Sequence, residues 1–526
     1  MQFKSMFSSM SEAESRNWNS WYSRVKTAIS RTPEPKKNRL ERIIFQGIQD
    51  LKKMDIVVKQ ADKNLGMVAM RTCLYRGLLM KHLASSTFQR VPTFPHLGIM
   101  LRLTNILKIQ GEVNDRQRET WISHGNESRD PCPFYIIPKL HKPTLGSRPI
   151  TAQHSYILAP LSHQLAKILQ VEVNKHAEIA RDSKTVMQQL EQLRIEQPTI
   201  FVTYDVEQLY PSIDLNDAIN TLEAALPVMK RNLGFWTKIL RLIMFNNYVS
   251  SNGEIYRQMK GTATGTQVAP PFANLYLWLK FKRILMNHDI HFHSRFIDDG
   301  FLVCKPTIDV GLLIRQLQAV TNLKLTFEKS EHQCIYLDIV IYKGQRYQST
   351  RRFDTKTFFK PTNKFLYLPS ISNHPPAQKK GIIKGEAIRC LRGCSDKENW
   401  LIALRTIFSG MMARGYHPTA IKKELKKVRF EDREKYIFEN SESKRPKKRM
   451  VMTEYHKDLR KNWNRILAFN PVRPLLIQKR LGRFNKRQLR FLEEWRPQIV
   501  FKNFKTIGTS VISAKQDSRS RTQNLE

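Results

Sequence analysis

Three aspartates follow or join short apolar stretches that are predicted to be strands. Asp205 follows residues 199–204 (TIFVTY), a β-branched and aromatic stretch typical of a buried strand. Asp298 and Asp299 occupy, with Gly300, the tip of a predicted hairpin in the sequence FIDDGFLV. Carboxylates from two strands could hold a pair of Mg²⁺ ions, which stabilise the attacking and leaving oxygens of a phosphoryl transfer. Taken alone, the IDDG turn is also typical of a polar hairpin tip.

Two neighbouring stretches fit the same chemistry. Tyr210 lies five residues after Asp205, where its ring could pack against a nucleotide sugar and exclude a 2′-hydroxyl, or could belong to the core. Residues 261–274 (GTATGTQVAPPFAN) combine a glycine-hinged loop with a helix that has Pro270 and Pro271 near its first turn. Small residues there would permit the close approach of a base pair, although an ordinary start of a helix has a similar composition.

The elements that must position these residues are predicted from hydrophobic periodicity. A hairpin is predicted from the apolar runs at 56–58 and 67–70, and mostly helix over 75–128. The further predictions are strands over 133–152, helices over 156–196 and 215–247, a strand over 256–259, a helix over 268–286, strands over 291–297 and 301–304, a helix over 309–321, and strands over 323–327 and 335–342. From about residue 370 the chain is predicted to be mostly helical and basic.

The composition indicates a polyanionic partner. The 526 residues include 88 Lys and Arg against 46 Asp and Glu, a formal net charge of +42. Such a charge repels itself unless a polyanion neutralises it, and counterion release favours nucleic acid; an anionic membrane surface is the alternative. A hydrophobic fraction of 41% supports large cores, and the length predicts roughly two to four packed units.

The last part of the sequence carries a large share of this charge. Residues 441–526 contain 22 Lys and Arg against 7 Asp and Glu, a net charge of +15. Three interpretations remain open: a solvated or flexible segment, a nuclear import signal, or a nucleic-acid contact. Interleaved aromatic residues such as Trp463 and Trp495 favour a folded nucleic-acid-binding module, because bases stack on aromatic rings.

Cysteines and apolar stretches point away from a secreted or membrane-spanning chain. Six cysteines are too few for a disulfide framework at this length. Cys390 and Cys394 could supply half a zinc site, but no second pair follows at a suitable spacing. The N-terminus lacks the apolar core of a signal peptide, and no stretch of about 18 apolar residues occurs. A reducing compartment and no membrane partner are therefore expected.

In their order and spacing, these stretches resemble the motifs of reverse transcriptases. DVEQLYPSI, GTATGTQVAPPFAN and FIDD resemble motifs A, B and C, with Phe296 in place of the tyrosine of the common YxDD. ADKNLGMVAM and PFYIIPKLHKP…RPI resemble fingers motifs, and NLKLTFEKS and CIYLDIVI resemble motifs D and E. The block FFKPTNKFLYLPSISNHPPAQKKGIIKGEAIRCLRGCSD is similar to the region after the palm in Penelope-like element reverse transcriptases, which are relatives of telomerase reverse transcriptase. The resemblance covers roughly residues 50–490.

The resemblance implies a set of site residues. The implied metal-binding positions are Asp205, Val206, Asp298 and Asp299, and the implied proton donor of motif D is Lys329. The residues implied to contact the incoming nucleotide are Lys63, Arg148, Tyr210, Gly265 and Gln267. Among these, Lys63 and Arg148 would hold the triphosphate, Tyr210 would be the steric gate, and Gly265 would be the flexible glycine of motif B.

The resemblance also implies the fold and the partners. The expected fold is α+β, a right-hand polymerase with fingers, a palm of antiparallel sheet and helices, and a helical thumb. The expected segments are an N-terminal helical leader (1–50), fingers (51–195), palm (196–345), basic thumb and connection (346–500) and a flexible basic tail (501–526). The expected cofactor is a pair of Mg²⁺ ions, with Mn²⁺ as a substitute. The expected partners are an RNA template, a DNA primer, their RNA–DNA hybrid and dNTPs, in the nucleus after a cytoplasmic stage.

Two other functions stay open from the sequence. A domesticated RNA-binding protein could keep a polymerase fold without its chemistry, although all three aspartates are present. An RNA-templated RNA polymerase is disfavoured by the bulky Tyr210. No GIY-YIG pattern is found, so the chain is expected to be endonuclease-deficient or truncated, and a nuclease acting in trans is a possible partner.

Overall fold

The protein divides into two compact units. The computed structural model describes residues 53–109, 111–140, 143–372 and 376–439, the stretches 450–454 and 498–502, and positions 43, 46, 47, 49–51 and 374. The main unit contains Asp55–Tyr367 and Ile383–Phe438, and the second unit contains Met1–Met54, Leu368–Ile382 and Glu439–Glu526. The expected fingers–palm and palm–thumb boundaries both fall inside the main unit. The expected leader and basic tail lie almost entirely outside the described residues.

Strands and helices alternate along the described chain. The strands are β1 (Ile56–Gln60), β2 (Met67–Arg71), β3 (Phe88–Val91), β4 (Cys132–Lys139), β5 (Gly146–Thr151), β6 (Ile200–Val206), β7 (Tyr248–Ser251), β8 (Glu254–Gln258), β9 (Ile290–Phe296), β10 (Asp299–Cys304), β11 (Leu325–Ser330), β12 (Gln333–Tyr336), β13 (Ile339–Tyr342), β14 (Asp354–Thr357), β15 (Met450–Glu454) and β16 (Gln498–Lys502). The helices are α1 (Thr72–Leu83), α2 (His96–Leu107), α3 (Asp115–Glu127), α4 (Ala159–Val173), α5 (Ser183–Gln192), α6 (Leu209–Ser212), α7 (Leu215–Ala225), α8 (Pro227–Phe245), α9 (Ala269–Leu285), α10 (Val310–Ala319), α11 (Gln345–Thr350), α12 (Pro376–Gly393), α13 (Lys397–Ala413), α14 (Pro418–Leu425) and α15 (Arg433–Phe438).

A four-stranded antiparallel sheet forms the centre of the main unit. Its strand order is β11-β6-β10-β9. Because side chains alternate between the two faces of a strand, each strand supplies two cores. On one face, Val202 and Leu302 belong to the same hydrophobic core as Phe272 of α9 and Leu317 of α10, and all four side chains are fully buried. This apolar layer fixes the sheet against its helices.

The opposite face of the same sheet is also covered. Phe201 of β6 and Phe301 of β10 lie in a second core with Ile341 of β13 and Val186 of α5. β13 belongs to a separate antiparallel sheet with the order β12-β13-β14. A sheet that is packed on both faces is held rigidly, and its strand ends are suited to presenting polar side chains.

A second sheet combines three strands that precede β6 with two that follow it. β3, β8, β7, β4 and β5 form one sheet in that order, in which β4 and β7 are parallel and the other neighbours antiparallel. β1 and β2 form an antiparallel hairpin. A short 3₁₀ turn, Asp62–Asn64, lies within that hairpin.

Helices of the C-terminal part are attached to the central region by polar contacts. The Ser395 N–H donates to the Thr355 carbonyl at 2.8 Å. Glu191 of α5 accepts from Arg433 at 2.7 Å and also forms an ion pair with Arg346, and all three side chains are largely buried. In the second unit, β15 and β16 pair in parallel.

The fold class and most of the predicted elements are confirmed. The structure is α+β, with an antiparallel sheet and helices in the region expected to be the palm. Residues 335–342 form two strands rather than one, because Leu337 adopts a left-handed backbone (φ 56°) and turns the chain. The short strands β3 and β7 were not predicted, since neither shows a strong alternation of apolar and polar residues.

Candidate active site

Three carboxylates meet where β6 and β10 pair. Asp205 lies directly opposite Asp299 in the antiparallel register, and Asp298 precedes β10 in the turn. One carboxylate oxygen from each of the three residues lies within 4.8 Å of the others. Asp205 and Asp299 are exposed and Asp298 is half-buried. Oxygen donors at this spacing fit a hard divalent cation, so the donor set suits Mg²⁺ or Mn²⁺.

The three negative charges disfavour one another. Desolvation of its carboxyl raises the pKa of Asp299 to about 6, and the charges of Asp298 and Asp205 add to this effect. Lys360 and Lys63 act in the opposite direction and lower the pKa of Asp299. The site therefore concentrates negative charge that a cation would relieve, and it is approached by lysines from two separate parts of the chain.

The turn that carries Asp298 is strained. β9 ends at Phe296 and β10 begins at Asp299, so that two residues connect the strands. Ile297 has a left-handed backbone (φ 56°), which is unfavourable for a β-branched residue. Glycine is required three residues later, at Gly300 of β10, because a Cβ at that position would lie 2.0 Å from the ring of Tyr204 on β6. Strain of this kind persists only where surrounding contacts impose it.

Lys63 and Arg148, predicted to contact the triphosphate, lie on neighbouring elements. Lys63 sits in the 3₁₀ turn after β1 with a left-handed backbone (φ 56°) and is close enough to influence Asp299. Arg148 of β5 forms a 3.4 Å ion pair with Asp62 of the same turn, and its side chain is 48% exposed. The structure therefore places Lys63 and Arg148 at the same 3₁₀ turn. Of the two, Lys63 is the one whose charge is shown to act on Asp299.

Tyr210 lies near the carboxylates. It is half-buried in the short helix α6, and the charge of Asp298 contributes, after burial, to raising its pKa to about 12. The Thr262 N–H donates to the Tyr210 carbonyl at 2.7 Å. Gly261 (φ 66°) permits this contact, because a Cβ there would lie 2.4 Å from the same carbonyl oxygen. The glycine-hinged loop thus holds the backbone of Tyr210 in place.

The rest of that loop touches the strand that carries Arg148. Gly265 (φ 124°) packs so closely on Thr151 of β5 that a Cβ would lie 2.1 Å from the Thr151 carbonyl oxygen. Gln267 is exposed and its Oε1 lies 2.6 Å from Nδ1 of His163 on α4. Gly265 therefore joins the two predicted substrate-contacting elements, whereas the described contact of Gln267 is with α4.

Val206 and Lys329 occupy different positions from those expected of a ligand and a proton donor. The apolar side chain of Val206 is buried, and its N–H donates to the Asp298 carbonyl at 3.1 Å, so only its backbone could take part. Lys329 pairs with Val202 on β6, three residues from Asp205, which places it about 10 Å along the strand and on the opposite face. The structure therefore does not bring Lys329 to the carboxylates, and its role as proton donor stays a prediction. The register could not be read from the sequence, because it depends on the pairing of distant strands.

Two features of the site were not predicted. Lys324 precedes β11 and forms a 3.0 Å ion pair with Glu207, two residues after Asp205. A cavity of about 340 Å³ lies beside Asp205 and Asp299. Side chains that line it include Phe327, Ile335, Phe358 and Lys360. Lys360 belongs to the KPT stretch that contributes to the resemblance, but nothing in the local sequence indicates that it lies beside the carboxylates.

Comparison with protein-family models matches one part of the chain. A family model for the animal helix-turn-helix domain matches residues 366–426, well under half of the chain. That range includes α13 and α14, which are joined by a turn in which Gly415 has a φ of 79°. No curated protein sequence matches the chain.

Several solved structures resemble the protein at low sequence identity. A telomerase from Candida albicans, in complex with a fragment of telomeric RNA, has a TM-score of 0.49 at 12% identity, with 74% of this chain and 66% of that chain covered. A truncated apo telomerase from Candida tropicalis has a TM-score of 0.40 at 10% identity, with 57% and 63% covered. The RNA-dependent RNA polymerase of a human picobirnavirus has a TM-score of 0.44 at 11% identity, with 82% and 91% covered. The chain thus spans slightly less than two thirds of the two telomerases.

Two further points concern the possible zinc site and the membrane. Cys390 and Cys394, which could supply half a zinc site, are both buried. Among the described residues, the group of three or more potential metal ligands that is found consists of Asp205, Asp298 and Asp299, and it includes neither cysteine. In the same described part, no helix is long and apolar enough to cross a membrane.

Proposed function

We propose that the protein is an RNA-directed DNA polymerase of the Penelope-like type, which adds dNTPs to a primer 3′-hydroxyl. The observation that carries the proposal is the convergence of Asp205, Asp298 and Asp299 at the paired ends of two antiparallel strands, with carboxylate oxygens within 4.8 Å of one another. Lys63 and Lys360 lie close enough to lower the pKa of Asp299, and Lys360 also lines the partly aromatic cavity beside Asp205 and Asp299. This combination fits phosphoryl transfer, in which catalysis is mostly positioning and charge stabilisation.

The three carboxylates are proposed to hold two Mg²⁺ ions, for which Mn²⁺ can substitute. When bound, the ions supply charge stabilisation to the attacking and leaving oxygens of the transfer. The protein's own contribution is a rigid frame, because β6 and β10 are packed on both faces and the turn at Ile297 is fixed by its surroundings. The carboxylates therefore need little rearrangement to bind.

The incoming nucleotide is proposed to enter from the side of Lys63, Arg148 and Tyr210. Arg148 can bind phosphate oxygens in a bidentate manner, and Lys63 adds a point charge next to the carboxylates. Tyr210 is held by the contact of Gly261 with its backbone, so that its ring can limit the space available to a 2′-hydroxyl. This arrangement favours dNTPs over ribonucleotides.

The 3′ end of the primer is proposed to lie in the cavity on the other side of Asp205 and Asp299. Phe327 and Ile335 are 44% and 51% exposed there, so they offer apolar surface to a sugar and base. Lys360 is exposed at the rim of the same cavity and could contact a backbone phosphate. The primer hydroxyl and the nucleotide would then meet at the carboxylates from opposite sides.

The RNA–DNA hybrid is proposed to continue along the helices of the C-terminal part. Lys422, Lys423 and Lys426, within and directly after α14, are exposed near one another on the helix surface. The helix-turn-helix match covers these residues, and motifs of that class bind nucleic acid through their second helix. Contacts of lysines with phosphates position a duplex without reading its sequence.

The cellular role is proposed from the same chemistry. An enzyme that copies RNA into DNA at an existing 3′ end would act in the nucleus, on chromosome termini or breaks, or with a nuclease supplied in trans. The RNA template, DNA primer and dNTPs are its proposed partners.

A primer-extension matrix tests the proposal. Purified protein would be given an RNA or a DNA template with a DNA primer, and either dNTPs or NTPs, in the presence of Mg²⁺. We expect extension on the RNA template with dNTPs, and much weaker extension with NTPs. Preferred use of NTPs would indicate an RNA polymerase, and hybrid binding without extension would indicate the non-catalytic RNA-binding function.

A further inference from the structure

A charged side chain is buried directly beneath the catalytic turn. Arg295 of β9 is 1% exposed and ranks among the largest fully buried side chains of the described residues. It precedes the turn residue Ile297 by two positions. A buried guanidinium is tolerated only where hydrogen bonds replace its water, so its partners indicate why it is there.

The guanidinium joins the turn to the helix that follows the glycine-hinged loop. Its Nη1 donates to the Ile297 carbonyl at 2.7 Å and to Oδ1 of Asn274 at 2.9 Å. Its Nη2 donates to the Asn274 carbonyl at 2.7 Å. Asn274 lies in α9 and is itself buried. One planar group therefore ties the strained residue of the turn to the interior of the protein.

The backbone of Arg295 is held independently of its side chain. Its N–H donates to the Glu178 carbonyl at 2.8 Å, and its own carbonyl accepts from the Ala180 N–H at 2.9 Å. The backbone end of the Arg295 side chain is therefore fixed independently of the hydrogen bond that the guanidinium makes to Ile297. A fixed base and a rigid fork can impose one conformation on the turn, whereas the flexible point charge of lysine cannot.

We infer that Arg295 is a positioning residue that fixes the turn through the Ile297 carbonyl, so that the carboxylate of Asp298 stays within reach of Asp205 and Asp299. The inference rests on the proposed function in one respect: the three carboxylates bind a divalent cation. It adds that the left-handed backbone of Ile297 is maintained by the buried bond from Arg295 rather than by the preference of the residue itself. Without that bond the turn relaxes and the cation site loosens.

The test measures cation binding directly, apart from activity. Mn²⁺ alone is the probe, and free Mn²⁺ is followed by electron paramagnetic resonance during titration of wild type, Arg295→Met, Arg295→Lys and Asp298→Asn. Leu317→Ala is the matched control, because it opens a cavity in the buried packing of α10 and removes none of the hydrogen bonds that Arg295 makes to the turn and to Asn274. Circular dichroism and a melting curve show whether each variant is folded.

We expect Arg295→Met to weaken Mn²⁺ binding about 10- to 100-fold, the range for groups that orient metal ligands. Leu317→Ala should leave Mn²⁺ affinity within about twofold of wild type even where its melting temperature falls equally. If Arg295→Met does not fold, Arg295→Lys decides the matter: it keeps the charge, loses the fork, and should weaken Mn²⁺ binding at least threefold. Folded Arg295 variants that bind Mn²⁺ like wild type, or an equal loss in Leu317→Ala, would overturn the inference.

Failure of the proposed function is recognised separately. If wild type binds Mn²⁺ through Asp298 but extends no primer, the polymerase proposal fails while the role of Arg295 stands. If wild type extends primers and Arg295→Met binds Mn²⁺ normally, the role of Arg295 fails while the polymerase proposal stands.

Discussion

Gly300→Ala should destabilise the protein substantially, because the new methyl group has no space. Its Cβ would lie 2.0 Å from Cζ of Tyr204 and 2.2 Å from Cε1. Carbon atoms in contact normally lie about 3.5–4.0 Å apart, so the ring would have to move by roughly 1.5 Å or more. Tyr204 is 3% exposed and packs edge-on against Phe281, which leaves little room for that shift. Overpacking typically costs about 1–3 kcal/mol, and we expect a value near 3 kcal/mol here.

The assay is urea unfolding followed by intrinsic fluorescence, with Gly98→Ala as the matched control. Gly98 lies in α2 with open space around its Cα, so the same substitution there should stabilise the protein by about 0.5–1 kcal/mol. Tyr204→Leu should partly relieve Gly300→Ala in a double-mutant cycle, since the two sites are in contact. An unfolding free energy of Gly300→Ala within about 0.5 kcal/mol of wild type would contradict the close packing of Gly300 against Tyr204 beside the acidic turn.

Three further outcomes follow from the site. Because its surroundings raise the pKa of Asp299 to about 6, above the ~3.9 of an unfolded aspartate, its charged form opposes folding, and this cost grows from about pH 4 and is complete above about pH 6. Asp299→Asn should therefore raise the melting temperature in EDTA at pH 8, by an amount that shrinks as the pH falls from about 6 to about 4; a lower melting temperature at pH 8 would contradict this. Tyr210→Ala should increase the ratio of ribonucleotide to deoxynucleotide incorporation, measured by competition between NTPs and dNTPs, and an unchanged ratio would mean that Tyr210 is a packing residue. Replacing Lys422, Lys423 and Lys426 together by Gln should reduce the slope of log affinity for RNA–DNA hybrid against log salt by roughly 2–3, and an unchanged slope would remove α14 from the nucleic-acid surface.

Local patterns predicted a large part of this structure. The apolar stretch before Asp205, the hairpin at the acidic turn and the helix after the glycine-hinged loop were each predicted from periodicity and turn residues. These are short-range features, in which the residues that decide the structure are close in sequence. Predicting that Asp205 lies next to Asp298 and Asp299 also depended on the order of the motifs along the chain.

Features that depend on distant pairing were not accessible from the sequence. Lys329 lies away from the carboxylates because the register of β11 on β6 places Thr326, not Lys329, opposite Asp205. Arg295 looks like any basic residue of a strand until its neighbour Asn274 is known, since burial of a charge leaves no local signal. The two-unit division also joins segments that lie far apart along the chain.

The central claim is that Asp205, Asp298 and Asp299 perform the polymerisation chemistry. The most direct measurement is primer extension on an RNA template with dNTPs and Mg²⁺, comparing Asp205→Asn and Asp298→Asn with Asp214→Asn. Asp214 caps the first turn of α7 through its side chain, and asparagine caps equally well, so this control makes the same chemical change outside the carboxylate cluster without loss of structure. The account predicts that both site variants bind hybrid but lose extension by several orders of magnitude, while Asp214→Asn extends like wild type. Extension by either site variant at a rate close to that of Asp214→Asn would contradict it.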